Sequence, residues 1–246
     1  GVFFLGVAIS TFFRGSYFYL DSNNSPHWGV KSYGLEALTD YFNIIFGLML
    51  VMLSRVNGCL YLLNNIKNES LNKRIVSQLK INFIFFVVFF IVFLLWLILK
   101  DGYSIDANGV IVAESNKYLN NFKSLPVVMV LFVIGILLVI YGFIEGVGYG
   151  NRGIWFSGTG TVLTGLSLFA IAGLCNTPFY PSLLDAQSSL TIYNSSSSRY
   201  TLVVMSYVSL MVPFVLMYIF FMWRAIDIKK LTMEELLNNN KDNHTY

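Results

Sequence analysis

Six stretches of this chain, near 1–20, 41–63, 81–99, 125–144, 154–174 and 201–223, are each about twenty residues long and almost wholly apolar. A helix needs about 20 such residues to cross a hydrocarbon core ~30 Å thick. Lipid offers no hydrogen bonds, so the backbone of each run must satisfy itself, and a helix is the way one segment does that. Charged residues make up only 12% of the chain. A soluble domain carries roughly 25%, so this chain cannot cover its surface with charge. The expectation is an all-α integral membrane protein with about six transmembrane helices. They form a single transmembrane helical domain over 1–246, with a polar tail at 224–246.

Basic residues orient the spans. Lys67, Lys73, Arg74, Lys80, Arg152, Arg224, Lys229, Lys230 and Lys241 fall in one set of loops, and Lys31, Lys100, Lys117, Lys123 and Arg199 in the other. Cytoplasmic loops are the ones enriched in Lys and Arg. Nine against five places loops 64–80 and 145–153 and the carboxy-terminal tail in the cytoplasm. The formal charge of +3 therefore reports topology, and no nucleic-acid partner is implied. Cys59 and Cys175 belong at opposite faces and are too far apart to pair. The chain opens with Gly1 inside an apolar run, with no basic leader and no cleavage site, and reads as truncated at its amino end.

The spans differ in character. The run 81–99 has no Gly or Ala and is expected to face lipid more than the others, because small residues are what let membrane helices pack closely. In 154–174, Gly158, Thr161, Gly165 and Ala172 recur on one face, which reads as a close helix contact rather than a ligand site. Pro126 begins its span, where its missing N–H costs nothing. Pro213 lies mid-span and should kink the helix near 205–209.

The sequence offers no catalytic set, no cofactor-binding residues and no metal cluster. Both histidines, His27 and His244, fall outside the spans. Met49 and Met52 could ligate a haem, but a Met in an apolar helix is the usual filler of a core. Two charges lie within spans, Arg14 and Arg55. Snorkelling to the interface is the preferred reading of both. The functional alternatives are a contact with a quinone or lipid headgroup, or a brace against a partner subunit. Glu36 and Asp40 read as caps at a helix start, where carboxylates suit the dipole, ahead of a proton exit. Gly146-Val147-Gly148-Tyr149-Gly150 does not follow a strand and reads as a tight turn. The string Ser195 to Ser198 reads as a turn and an N-cap for the last helix. If the chain belongs to an enzyme, the catalysis is carried by another subunit.

Several motifs stand in a recognisable order. Ser189-Leu190-Thr191-Ile192-Tyr193-Asn194, then Ser197-Ser198, then Thr201-Leu202 with Met205 and Pro213, close the chain. Gly6-Val7-Ala8 with Gly15, Asn57-Gly58-Cys59-Leu60-Tyr61-Leu62, and Asp101-Gly102-Tyr103 precede them. Together they resemble subunit II of the cytochrome bd-type quinol oxidases over most of the chain. Two places depart from that pattern. Asp40-Tyr41-Phe42 stands where the family shows Asn-Pro-Phe, and Thr177-Pro178 stands where it shows Phe-Pro. No lipid or quinone contact is carried over at either.

The resemblance implies a subunit of about nine spans in two four-helix bundles plus a peripheral helix, of which this chain would lack the first three. The family's acidic residue for proton entry would lie in that missing part. The implied partner is subunit I, as a heterodimer, holding two b-type haems, one d-type haem and the quinol oxidation site. A small accessory single-span subunit, quinone and lipids are further implied partners. The implied place is the bacterial inner membrane. A secondary transporter or channel subunit is the alternative, but the spans have few polar groups and no matching pair of broken helices.

Overall fold

The computed structural model describes residues 1–66 and 68–227. The expected cytoplasmic basic residues Lys67, Lys229, Lys230 and Lys241, and His244, lie outside the described residues.

In chain order, helix α1 (Val2–Arg14) leads to a hairpin of β1 (Phe18–Leu20) and β2 (Pro26–Trp28). Then come α2 (Tyr41–Asn65), α3 (Glu69–Leu99) and a second hairpin, β3 (Gly102–Ile105) with β4 (Ile111–Glu114). The short α4 (Lys117–Ser124) precedes α5 (Pro126–Val147) and α6 (Gly153–Gly173). A one-turn α7 (Ile192–Ser195) leads to α8 (Arg199–Ser209) and α9 (Val212–Asp227). Both hairpins are antiparallel, with Phe18 opposite Trp28 and Gly102 opposite Glu114. Among the described residues five segments are long and apolar enough to cross a membrane: α2, α3, α5, α6 and the joined Arg199–Ala225. The protein is an all-α integral membrane protein.

Local chemistry sets the helix ends. The Asp40 carboxylate accepts from Phe42 N at 2.9 Å and starts α2, while Asn68 caps α3 through Leu71 N at 3.1 Å. Pro126 is the first residue of α5. Ser198 caps α8, as the Ser string suggested. Thr191 and Asn194 form a reciprocal capping box around α7. Pro213 cannot donate to a preceding carbonyl, and the last span breaks at Leu210–Met211, just past the expected kink.

The stretch 1–20 differs from its expected full span. Helix α1 has only 13 residues. It ends because Gly15 takes φ 90, and a Cβ there would lie 2.5 Å from the Pro181 carbonyl oxygen. The chain then turns into β1.

Glycines place the helices, though not all those expected. A methyl on Gly6 would sit 2.7 Å from Gly47 Cα, so α1 and α2 touch backbone to backbone. Helices α5 and α6 meet along Gly135, Gly142, Gly153 and Gly160. A Cβ on Gly160 would lie 2.5 Å from the Gly135 oxygen. The expected seam of Gly158 and Gly165 is instead open, with nothing within 4 Å of either Cβ position. Two small-residue faces compete on α6, and the one carrying Gly153, Ser157 and Gly160 wins the contact.

Two apolar clusters fill the bundle. Phe13, Phe42, Phe46, Phe93, Leu97 and Tyr118 are buried in the first, with Val56, Leu60, Leu63, Val76 and Leu79 in the second. Helix α3 is therefore two-sided. Ile84, Phe85 and Val88 are exposed, but Phe86 and Phe93 are buried, and Phe83 stacks on Phe143 at 3.7 Å. The expectation that α3 faces lipid more than the other spans is corrected by the final span, whose apolar window is 0% buried. Aromatic side chains can interdigitate without small residues, so α3 packs by shape.

Candidate functional site

The structure gathers polar groups at two levels of the bundle. The first lies at the end where α1 and α3 finish and α2 begins. The last carbonyls of a helix have no partner within it. Here Phe13 O accepts from both Lys100 Nζ and, at 3.1 Å, Tyr118 Oη. The Lys100 ammonium also lies over the Phe42 and Tyr118 rings, at 5.9 and 5.8 Å from their centroids. Burial lowers its pKa from 10.5 to about 8, the Arg14 charge adds to the effect, and Asp40 opposes it. Burial likewise pushes the Tyr118 phenol up. Arg14 donates from Nε to Asp40 Oδ2 at 2.6 Å. Arg14 is thus paired with a carboxylate instead of snorkelling alone. Asp40 serves as a cap, as expected, and as the counter-ion that the sequence reading missed.

Glu36 stays beside this cluster as a local brace. Its Oε2 accepts from Ser32 Oγ at 2.6 Å and from Gly34 N at 3.0 Å. Asn43 reaches back to the Ala37 carbonyl and accepts from Ser10 Oγ at 2.7 Å. The end of α1 and the start of α2 are therefore locked by hydrogen bonds. Lys117, counted among the basic residues of the loops, is 4% exposed and donates to Glu114 Oε2, Ser104 Oγ and Cys175 O. No sequence signal separates such a lysine from a solvated one; Glu114 is three residues away, but Ser104 and Cys175 come from β3 and from the loop after α6.

The second level lies within the bundle. A cavity of about 350 Å³ opens among α1, α2, α3, α5 and α6, lined by Phe13, Phe46, Met49, Phe86 and Leu168, with Thr161 and Thr164 as its polar groups. Beside it Ser157 Oγ donates to Asn57 Oδ1 at 2.6 Å and ties α6 to α2. A haem needs an axial His, Cys, Met or Tyr. The cavity offers only Met49, packed in the apolar core, and no cation to meet propionates. These residues do not fit a haem. His27 is exposed in the first hairpin, faces Asp21 at 3.2 Å and does not line this cavity. Cys59 and Cys175 are free. Among the described residues no three of His, Cys, Asp and Glu group as metal ligands. Among the described residues the geometry packs, braces and excludes water.

A sequence model of the family described as cytochrome bd terminal oxidase subunit II matches residues 1–226. The chain belongs to that family. The match runs from α1 to the end of the last membrane helix, so every polar group described above falls within it. No curated protein matches the chain. As a subunit II of a terminal oxidase, the chain is a multi-pass membrane component of an oxygen-reducing respiratory enzyme. Arg55, the second intramembrane charge, stays apart from both polar levels.

Proposed function

We propose that this chain is the haem-free subunit of a quinol:oxygen oxidoreductase complex of the bacterial inner membrane, a single helical domain with its carboxy-terminus in the cytoplasm. The family match across residues 1–226 carries the reading. The bundle supports it, since the cavity among α1, α2, α3, α5 and α6 is lined by hydrocarbon and two threonines and suits no haem. In this reading subunit I holds two b-type haems and one d-type haem, oxidises quinol and reduces oxygen to water. Subunit II forms the heterodimer with it and shapes the surrounding protein, with a small accessory subunit, quinone and lipids as further partners. The polar groups Arg14, Asp40, Lys100 and Tyr118 fix the ends of α1 and α3 and the start of α2.

The test is oxygen uptake by the complex isolated through a tag on this chain. Quinol should drive oxygen consumption, and deletion of the gene should abolish it in membranes that contain no other quinol oxidase. Substrate transport without quinol-dependent uptake would refute the proposal.

A further inference from the structure

The cavity inside the bundle lies near the middle of the spans. On α2 its lining runs from Phe46 to Leu53, and on α3 from Phe83 to Ile91. At 1.5 Å per residue that makes a space ~10–12 Å tall. Ile136, also in the lining, is the eleventh of the 22 residues of α5. Both headgroup layers are therefore about 15 Å away, in a core ~30 Å thick.

The walls choose among occupants. A buried water needs roughly two to four polar partners. Thr161 Oγ1 already donates to Ser157 O at 2.8 Å. The Thr164 hydroxyl faces α5, where a Cβ on Gly135 would lie 2.5 Å from it. Neither points a free donor into the space, so a carbonyl-bearing ring would bury unsatisfied acceptors there. Left empty, the lining forfeits its dispersion contacts. A dry apolar cavity of about 150 Å³ already takes up benzene or xenon, and this one has about 350 Å³. Plain hydrocarbon is the chemistry that fits.

The cavity is also open sideways. Ile91, Ile140 and Phe169 line it and are exposed at the bundle surface. Gly165 lines it too, with nothing within 4 Å of a Cβ placed there. At this depth a phospholipid presents only the ends of its acyl chains. Phospholipid is the bulk source of hydrocarbon around a membrane helix bundle, so mass action favours it over any minor lipid.

We propose that this cavity is a lipid site that takes the terminal part of one phospholipid acyl chain, admitted from the bilayer past Gly165. The chain end supplies the packing among the five helices that their own side chains leave out. The site rests on the membrane fold and not on the haem-free role proposed above.

The test uses the complex isolated through a tag on this chain and placed in bilayer discs. Their phospholipid carries a photoactivatable diazirine at the end of one acyl chain. Adducts are expected on Met49 and Leu168, inside the bundle, as well as on Val88, on the exposed side of α3. Gly165→Leu should lower the adducts at Met49 and Leu168 at least fivefold and leave Val88 unchanged. Gly158→Leu, in open space outside the lining, should leave all three unchanged. Wild-type labelling at Val88 alone overturns the proposal without any variant. So does interior labelling that persists in Gly165→Leu, or that an isoprenoid quinone displaces and unlabelled phospholipid does not. Xenon bound in the cavity of the lipid-loaded complex would show the space empty and overturn it too.

Discussion

Lys100 gives the protein a stability that should increase as the solution becomes alkaline. Its folded-state pKa is about 8 against an ordinary 10.5, chiefly because the ammonium is buried. Between these values the unfolded chain holds the proton more tightly than the folded one. Stability rises with pH wherever the unfolded state binds more protons. The sign is therefore a gain that begins near pH 8 and is complete near the ordinary lysine value. From pH 8 to pH 10 this proton linkage amounts to about 2 kcal/mol, at 1.36 kcal/mol per pKa unit. Tyr118 acts in the opposite sense, since its raised pKa costs stability only above the ordinary phenol range, beyond this window. The assay is detergent-denaturant unfolding of the purified complex, followed by tryptophan fluorescence at several pH values across the window. Wild type should gain and Lys100→Met should be flat. A wild type that is flat or weakens from pH 8 to 10, or a Lys100→Met variant that keeps the rise, would mean that Lys100 is not the source of the alkaline gain.

Other outcomes follow from single contacts. Gly160→Leu should separate α5 from α6 and cost about 1–3 kcal/mol or more, because the new side chain meets backbone and not a movable side chain. Gly158→Ala, in open space, should stay within about 0.5 kcal/mol; the same unfolding assay reads both. Asp40→Asn keeps the cap and removes the Arg14 counter-ion, for about 0.5–1 kcal/mol at neutral pH, because that pair is partly exposed. It also removes the charge that holds the Lys100 pKa up, so the alkaline gain should begin at lower pH.

The membrane architecture was legible because hydropathy is a property of long runs, and α2, α3, α5 and α6 each sum it over at least 21 residues. Caps were legible for the same local reason: Asp40 and Ser198 act within three residues of themselves. The misreadings are all cases of long-range competition. Both faces of α6 carry small residues, and only the three-dimensional approach of Gly135 and Gly142 selects one. The end of α1 depends on Pro181, more than 160 residues away. The two hairpins have strands of three and four residues, too short for periodicity to register. Arg14 looked unpaired because Asp40 was already explained as a cap. One carboxylate does both tasks through different oxygens.

In the proposed function this chain lends form to a haem carrier and holds no haem itself. The direct measurement is the reduced-minus-oxidised visible spectrum of the tagged complex, followed by separation of its subunits and haem staining of each. Bands of b- and d-type haem in the complex, with stain confined to the partner polypeptide, are the predicted result. Haem retained by this chain, or a tagged protein that purifies alone and without colour, would contradict it.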